Sequence, residues 1–190
     1  MKISQYANAT PLGVSSKLIG TNVSANDETA NFTISDVLAL RPDAEMYMIN
    51  NTTDTVVATV NVPVKVEGTT TSGVLSGFTM PSNNRLTYTG TSSVTVFASV
   101  SFTAYRTAGS DATIEAVVYK NGTTPQVNTT TKTLITLDRT SGLSQGFITL
   151  ATNDYIELWL VNTTDATDIL VNTMNLCSII VRVIKFNLIK

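Results

Sequence analysis

The sequence predicts an all-β protein, an antiparallel jelly-roll sandwich preceded by an extended N-terminal leader that ends in one short helix. Three observations predict this fold class. Apolar residues alternate with polar residues along most of the chain after about residue 45, which is the period of a strand with one buried face. Turn-forming pairs such as Asn121-Gly122 separate these segments. Threonine, which favours strands over helices, occupies 33 of the 190 positions.

Residues 1–41 form the predicted leader. Its apolar residues are sparse, with short pairs such as Leu18-Ile19, so we expect the segment to dock onto another protein because it cannot build a core of its own. The one helix is predicted to begin after Thr33, a capping residue that has Asp36 three positions later, as in a capping box. Pro42 ends this helix, since the residue before a proline disfavours helical backbone.

Residues 42–190 form the predicted sandwich domain. Pro63, in the segment TVVATVNVPVKVEG, indicates an edge strand or a bulge. The alternation in that segment places six apolar residues on one strand face: Val56, Ala58, Val60, Val62, Val64 and Val66. The segment SSVTVFASVSFTAY has the same pattern, and its predicted inner face consists of Val94, Val96, Ala98, Val100, Phe102 and Ala104.

Further strands are predicted at residues 112–120, 132–137, 145–150, 154–162, 169–174 and 176–185. Turns are predicted at Asn83-Asn84, Asn121-Gly122, Ser141-Gly142 and Asn153-Asp154. Many short strands without helices between them favour an antiparallel sandwich over a parallel α/β sheet. The last strand is apolar on both faces, so either it is a central strand covered on both sides or its second face packs against another subunit, with Ile180 and Ile184 as candidate contacts.

The composition excludes several classes of function. Charged residues make up 14% of the chain and the net charge is −2, so a broad basic face for nucleic acid is not expected. There is no histidine, the usual acid–base catalyst near neutral pH, and the single Cys177 can form neither an intrachain disulfide nor a cysteine zinc site. We therefore predict no cofactor and no membrane insertion. The N-terminus lacks the apolar stretch of a signal peptide, which predicts a protein that is not exported.

Acidic pairs are the remaining candidates for chemistry. Asp154 and Glu157 are three residues apart on a predicted strand, so they face opposite sides and cannot share a site. Asp165 and Asp168 lie in the oxygen-rich loop VNTTDATDIL, which is either a solvated turn or a calcium site, although it lacks the glycine and terminal glutamate of an EF-hand loop. Phosphate-binding glycine loops and Gly-x-Ser-x-Gly are absent. The sequence predicts that the protein is not an enzyme and holds no catalytic or metal-ligating residues.

Trp159, the only tryptophan, shares a predicted strand face with Tyr155. The opposite face has a plain core pattern, made of Ile156, Leu158 and Leu160. Because tryptophan and tyrosine are frequent in interface hot spots, the face of Tyr155 and Trp159 is a subunit interface, a second buried layer or a ligand platform.

Four stretches of the domain occur in a recognisable order. They are RLTYTGTSSVTVFASVSF, with a Tyr-Thr-Gly turn before a long strand; VVYKNGTT, a strand with an Asn-Gly hairpin; LATNDYIELWLVN, with Asp154 at the turn; and MNLCSIIV. In this order they resemble the jelly roll shared by tumour necrosis factor and the complement globular head, over about residues 45–184. The resemblance implies a compact homotrimer with aromatic and aliphatic residues around its threefold axis.

The leader carries a second resemblance, through Ile3-Ser4, Ala9-Thr10, Ile19-Gly20-Thr21 and Thr33-Ile34-Ser35-Asp36. These phrases resemble the opening of phage structural proteins, in which the N-terminal segment attaches to the particle and the C-terminal domain forms a trimer. The resemblance implies virion attachment through Ile3, Ser4, Ile19, Gly20, Thr33, Ile34 and Asp36.

Together the two resemblances predict a non-enzymatic phage virion structural protein, a trimeric head fibre or capsid decoration. Its expected partner is the major capsid protein or another virion protein, bound through residues 1–41, and its expected place of assembly is the host bacterial cytoplasm. The alternative is a carbohydrate-binding host-recognition module of a tail fibre, which would bind host-surface glycans through Tyr155 and Trp159.

Overall fold

The computed structural model describes residues 17–22, 28–33 and 42–180. The chain divides into two units, Met1–Arg41 and Pro42–Lys190. In the first unit, strand β1 (Lys17–Asn22) pairs antiparallel with strand β2 (Glu28–Thr33). The sparse apolar residues of the leader do not predict this hairpin. The short helix predicted after Thr33 lies outside the described residues.

The described part of the second unit contains twelve strands and one short 3₁₀ turn at Val127–Thr129. The strands are β3 (Asp43–Met48), β4 (Val64–Lys65), β5 (Thr71–Ser76), β6 (Phe78–Ser82), β7 (Arg85–Tyr88), β8 (Val94–Arg106), β9 (Ala112–Lys120), β10 (Thr124–Pro125), β11 (Thr131–Ile135), β12 (Thr140–Leu150), β13 (Tyr155–Asn162) and β14 (Ile169–Ile180).

These strands form two sheets with antiparallel pairing throughout. The five-stranded sheet has the order β12-β8-β14-β3-β5, so β14 is its central strand. The seven-stranded sheet has the order β10-β9-β13-β7-β6, with β11 beside β9 and β4 beside β13. The predicted fold class, an all-β antiparallel jelly-roll sandwich, is confirmed.

The core lies between the two sheets and is built from alternate residues of the long strands. Strand β8 buries every second residue from Val94 to Arg106. This is the inner face that the sequence predicts, with Arg106 as one additional buried residue. Strand β13 buries Ile156, Leu158 and Leu160 in the same way. Each fully buried side chain of this size stabilises the fold by about 1.5–3 kcal/mol. The alternation therefore decides which face of each strand points inward.

The most regular segment of the sequence does not form the strand that its pattern predicts. Only Val64–Lys65 is a strand, and Val56 is 61% exposed whereas its neighbour Val57 is buried. The N–H of Val57 donates to Asp168 Oδ1 at 2.8 Å, so this backbone group bonds to a side chain in place of a neighbouring strand. The ladder is further interrupted at Asn61, which has a left-handed φ of 63°, and at Pro63, which has no N–H.

The C-terminal part of the chain also differs from the prediction. Strand β14 runs without a break over Ile169–Ile180, where two strands were expected. Leu176 and Ile180 are buried in the core, while Cys177 and Ile179 point to the outer face of the five-stranded sheet. Strand β14 is therefore central in its sheet, and from Thr173 onward its outward residues are the odd-numbered ones. The alternative, that one face of this strand packs against another subunit, stays a prediction.

Asn84 connects three strands from a buried position. It lies at the predicted turn between β6 and β7, with a left-handed φ of 50°. Its side-chain amide donates to the carbonyls of Leu158 at 2.8 Å and Val66 at 3.1 Å, and its Oδ1 accepts the N–H of Leu158 at 3.0 Å. The side chain thus satisfies the backbone of β13 at a residue between its pairings with β7 and with β4.

Replacing Asn84 with alanine is expected to lower the free energy of unfolding by about 3–5 kcal/mol, because it leaves buried backbone groups unpaired and puts alanine in a left-handed conformation. Asn61→Ala is the matched control. Asn61 has a similar φ of 63°, is exposed and makes no side-chain hydrogen bond within the described residues. We expect a loss of about 1 kcal/mol there. Urea denaturation measures both, and equal losses would show that the Asn84 amide contributes nothing.

Candidate functional site

The outer face of the seven-stranded sheet carries the aromatic residues that the sequence singled out. Tyr155 and Trp159 both lie on the side of β13 that faces away from the core, and Glu157 lies between them. This confirms the predicted division of the strand into two faces. Trp159 is half-buried, whereas Glu157 is only 1% exposed.

The Trp159 ring is held in place by two contacts. It stacks on Tyr119 of the neighbouring strand β9, with ring centroids 4.6 Å apart and planes 22° apart. Its Nε1–H donates to Glu157 Oε2 at 3.2 Å. Tyr119 is 8% exposed, and its burial raises the pKa of its hydroxyl above the ordinary value. Trp159 is therefore a fixed aromatic surface with a buried aromatic partner.

Glu157 binds two cations from other strands. Its Oε1 accepts hydrogen bonds from Lys65 Nζ of β4 at 3.0 Å and from Arg85 Nε of β7 at 2.9 Å. The guanidinium of Arg85 also lies over the Tyr155 ring, 3.9 Å from its centroid. A buried carboxylate is tolerated because it is paired in this way. We call Lys65, Arg85, Tyr119, Glu157 and Trp159, with Tyr155, the Trp159 cluster.

The outer face of the five-stranded sheet carries an apolar row. Phe147 of β12, Phe97 of β8 and Ile179 of β14 are direct cross-strand neighbours. The two phenylalanine rings have centroids 5.3 Å apart. Phe147 is 55% exposed and Ile179 is 40% exposed, so the row is uncovered within the described chain. We call these three residues the Phe147 row.

The surroundings of the Phe147 row are polar. On one side Thr95 and Thr149 share a hydrogen bond of 3.0 Å between their hydroxyls. On the other side the Cys177 thiol contacts Asn175 Oδ1 at 3.0 Å, and Asn175 donates to Glu45 Oε1 at 2.9 Å. Burial, and then the Glu45 carboxylate, raise the pKa of the Cys177 thiol, which makes it a poor nucleophile.

Two candidate contacts from the last strand fall elsewhere. Ile180 is 4% exposed and packs in the core, so the prediction that it lies in a subunit interface is corrected: its strand presents Ile179 outward instead. Ile184 lies outside the described residues. The sequence pattern of β14, apolar on both faces, does not reveal which face the sandwich covers.

The oxygen-rich loop between β13 and β14 has its carboxylates occupied by the protein itself. Asp165 accepts two hydrogen bonds from Arg106, which is 1% exposed, and one from the N–H of Thr167. The Thr167 N–H and then the Arg106 guanidinium lower the pKa of Asp165 to about 2. Asp168 bonds to the N–H of Val57. These contacts favour the reading of this loop as a structural turn.

Asp154 has a structural place as well. It accepts the side-chain amide of Asn121 at 2.7 Å, and this bond first and then the Ala151 N–H lower the pKa of Asp154. Across residues 17–22, 28–33 and 42–180, no three Asp, Glu, Cys or His side chains come together in a way that could hold a metal ion.

The residues assigned to virion attachment are only partly described. Ile19 and Gly20 lie in β1, opposite Asn31 and Ala30 of β2, and Thr33 is the last residue of β2. Ile3, Ser4, Ile34 and Asp36 lie outside the described residues.

Sequence reasoning missed Lys65, Arg85, Tyr119 and Phe147. Each becomes part of a cluster only through strand pairing, since β4, β7 and β9 are all neighbours of β13. In the same way, the sequence of β8 or β12 alone does not reveal the register that places Phe147 opposite Phe97. The one signal available was position, because each of these residues lies on the polar side of an alternating segment.

Among the described residues, no helix has the length and apolar character needed to cross a bilayer.

No known family model matches the chain, and no curated protein matches it. Among solved structures, the chain is similar to murine APRIL at pH 5.0, with 9% identity over 73% of this chain and 99% of that one and a TM-score of 0.47. It is similar to the PRD1 vertex protein P5, with 12% identity over 74% and 97% of the two chains and a TM-score of 0.47. It is also similar to rabbit GITRL, with 12% identity over 73% and 94% and a TM-score of 0.41. With TM-scores below 0.5 and identities of 9–12%, these similarities carry no conclusion about this chain.

Proposed function

We propose that this chain is a non-enzymatic structural protein of a phage virion, a head fibre or capsid decoration. In this proposal residues 42–190 associate into a homotrimer, and residues 1–41 attach the trimer to the major capsid protein or another virion protein. The observation that carries the proposal is the Phe147 row, an apolar row left uncovered on a sheet whose other outward residues are mostly polar.

The face that carries this row is large enough for a stable interface. Its longest strand, β8, has 13 residues. Five strands at their usual spacing and rise make a face of about 20 Å by 40 Å, or about 800 Å². A standard protein interface buries about 800 Å² per partner. An aromatic pair at the centre of such a face, with hydroxyl and amide groups around it, is the composition expected of an interface core and rim.

A second copy of the chain is the occupant that the row fits. The Phe97 and Phe147 rings offer edges and faces to each other at 5.3 Å, and the same aromatic surface is self-complementary when copies meet around an axis. The three residues of the row are uncharged, and the next residue across the strands is Asp43 of β3, opposite Ile179. A trimer follows from the jelly-roll resemblance of residues 45–184, which supports three copies over two.

The placement in a virion rests on the leader. Its resemblance to phage structural proteins runs from Ile3-Ser4 through Ile19-Gly20 to Thr33-Ile34-Ser35-Asp36. A trimer presents three leaders, so three weak contacts act together through a high effective concentration. A chain with no histidine and a thiol of raised pKa fits a structural protein better than a catalyst.

Purified virions of the phage that encodes this chain are expected to contain it in stoichiometric amount. Mass spectrometry of gradient-purified particles measures its copy number, and immunogold labelling locates it. Label on the head supports a head fibre or capsid decoration. Label on the tail would contradict the head assignment, and absence of the chain from particles that contain all other structural proteins would contradict the virion assignment.

A further inference from the structure

We propose that the outer face of the seven-stranded sheet binds an acidic saccharide. In this proposal the indole of Trp159 contacts the sugar ring, while Lys65 and Arg85 bind its acidic group. The site adds a second activity to the self-association proposed above. It rests on the geometry of the Trp159 cluster and not on the virion assignment.

The aromatic part of the site is preorganised. Tyr119 covers one side of the Trp159 ring at 4.6 Å, and the Nε1–H is tied to Glu157 at 3.2 Å. The surface that the indole leaves exposed therefore lies away from Tyr119, in a fixed orientation. A ring that is already ordered loses little side-chain entropy when a ligand binds. Aromatic rings of this kind offer a broad apolar surface for the C–H groups of a sugar.

Lys65 and Arg85 have N–H donors that Glu157 does not use. Lys65 and Arg85 share a single carboxylate, so two positive charges face one negative charge and the cluster keeps a surplus of one. An ammonium has three N–H donors and a guanidinium has five, and Glu157 uses only some of them. The side chains of Lys65 and Arg85 are 26% and 32% exposed, whereas Glu157 is 1% exposed. A ligand therefore meets the cations and not the carboxylate.

This arrangement selects an anionic ligand. The buried Glu157 fixes both cations in position, and Arg85 is held further by the Tyr155 ring beneath it. Charge-assisted hydrogen bonds to a carboxylate or sulfate are about twice as strong as neutral ones. An aromatic plane beside fixed cations is thus suited to a sugar ring that carries an acidic group.

The site stays accessible if the domain associates through the Phe147 row. Trp159 lies on the outer face of one sheet and Phe147 on the outer face of the other, so the two surfaces are on opposite sides of the sandwich core. Covering one face leaves the other facing solvent. A host-recognition surface and an assembly surface can therefore coexist in one domain.

The test uses the full-length chain and its single tryptophan, whose fluorescence reports directly on the site. The probes are tetragalacturonate, a sulfated heparin tetrasaccharide and the neutral maltotetraose. We expect a saturable change with at least one acidic probe, weakened by added salt, and none with maltotetraose. No saturable change with either acidic probe up to about 10 mM, or equal binding of maltotetraose, overturns the proposal.

Variants separate the site from general charge effects. Lys65→Gln is expected to weaken binding of the acidic probe about tenfold. Lys132→Gln is the matched control, because Lys132 lies on the same sheet, is 68% exposed and is paired with Glu115. Equal weakening by both variants would show that the probe responds only to net charge, which overturns the proposal.

A third variant distinguishes a ligand site from a subunit interface. Trp159→Tyr keeps an aromatic ring and is expected to reduce probe binding, measured by calorimetry, without changing the oligomeric state. If light scattering shows that this variant dissociates the oligomer, the Trp159 face is an interface between copies and the proposal is wrong.

Discussion

A chain that lacks residues 1–41 is expected to fold, to remain oligomeric and to be absent from virions. The buried apolar core of the described residues, from Ala44 to Ile180, consists of residues of the second unit, so the truncation removes none of them. A two-stranded hairpin on its own is marginal in water, so in the proposed function contacts with a virion protein offset the ordering entropy of the leader. Losing the leader should therefore abolish attachment and leave the domain intact.

Two measurements decide this prediction. Light scattering measures the oligomeric state of the truncated chain. Co-sedimentation with particles that lack this protein measures whether the truncated chain attaches to them. A full-length control carries Ile3→Asp and Ile34→Asp, which disrupts two of the proposed attachment residues without shortening the chain. If the truncated chain is monomeric, the association lies in the leader. If it still sediments with particles, the anchor lies in residues 42–190.

The fold class was predictable because its physical cause is local. Alternation at intervals of two positions, as in Val94 to Ala104, fixes which side chains face the core whatever the partner strand is. The turns at Asn84, Asn121 and Asn153 were predictable for a similar reason, since asparagine tolerates the positive φ that all three adopt.

The failed predictions have causes distant in the sequence. The alternation around Val56 predicts a strand. Instead, the N–H of Val57 donates a hydrogen bond to the carboxylate of Asp168, more than a hundred positions later in the chain. Ser141-Gly142 resembles a turn, yet it lies inside β12, where Gly142 packs against the Phe102 ring and leaves no space for a Cβ. Glycine is needed at that position because a side chain would collide with the Phe102 ring, and not because the backbone forms a turn there.

The candidate surfaces were predictable only in part, because each is assembled across strands. The strand pattern identifies Tyr155 and Trp159 as outward residues. Tyr119 and Arg85 join them through pairing of β13 with β9 and β7, and pairing partners are not encoded in the alternation of a single strand. The same argument applies to Phe97 and Phe147, which become one row only through the β8–β12 register.

Replacing Phe147 with threonine is expected to raise the concentration needed for half-assembly of the proposed trimer about a hundredfold. Burying a phenylalanine contributes about 2 kcal/mol, hence about 6 kcal/mol for three copies, and the assembly concentration of a trimer varies as the square root of its dissociation constant. Because Phe147 is 55% exposed in the single chain and threonine suits a strand, the fold itself should lose little stability. Sedimentation velocity over a dilution series measures the shift.

Leu134→Thr is the matched control for this experiment. Leu134 is also 55% exposed, but it lies in β11, at the edge of the seven-stranded sheet. Losing a large side chain there is expected to leave assembly unchanged, because the proposed interface is on the other sheet. Dissociation caused by Leu134→Thr and not by Phe147→Thr would move the interface to the seven-stranded sheet and contradict the assignment of the Phe147 row. Unchanged assembly in both variants would contradict the assignment of the Phe147 row, because replacing a phenylalanine that is buried in three copies must change the assembly concentration.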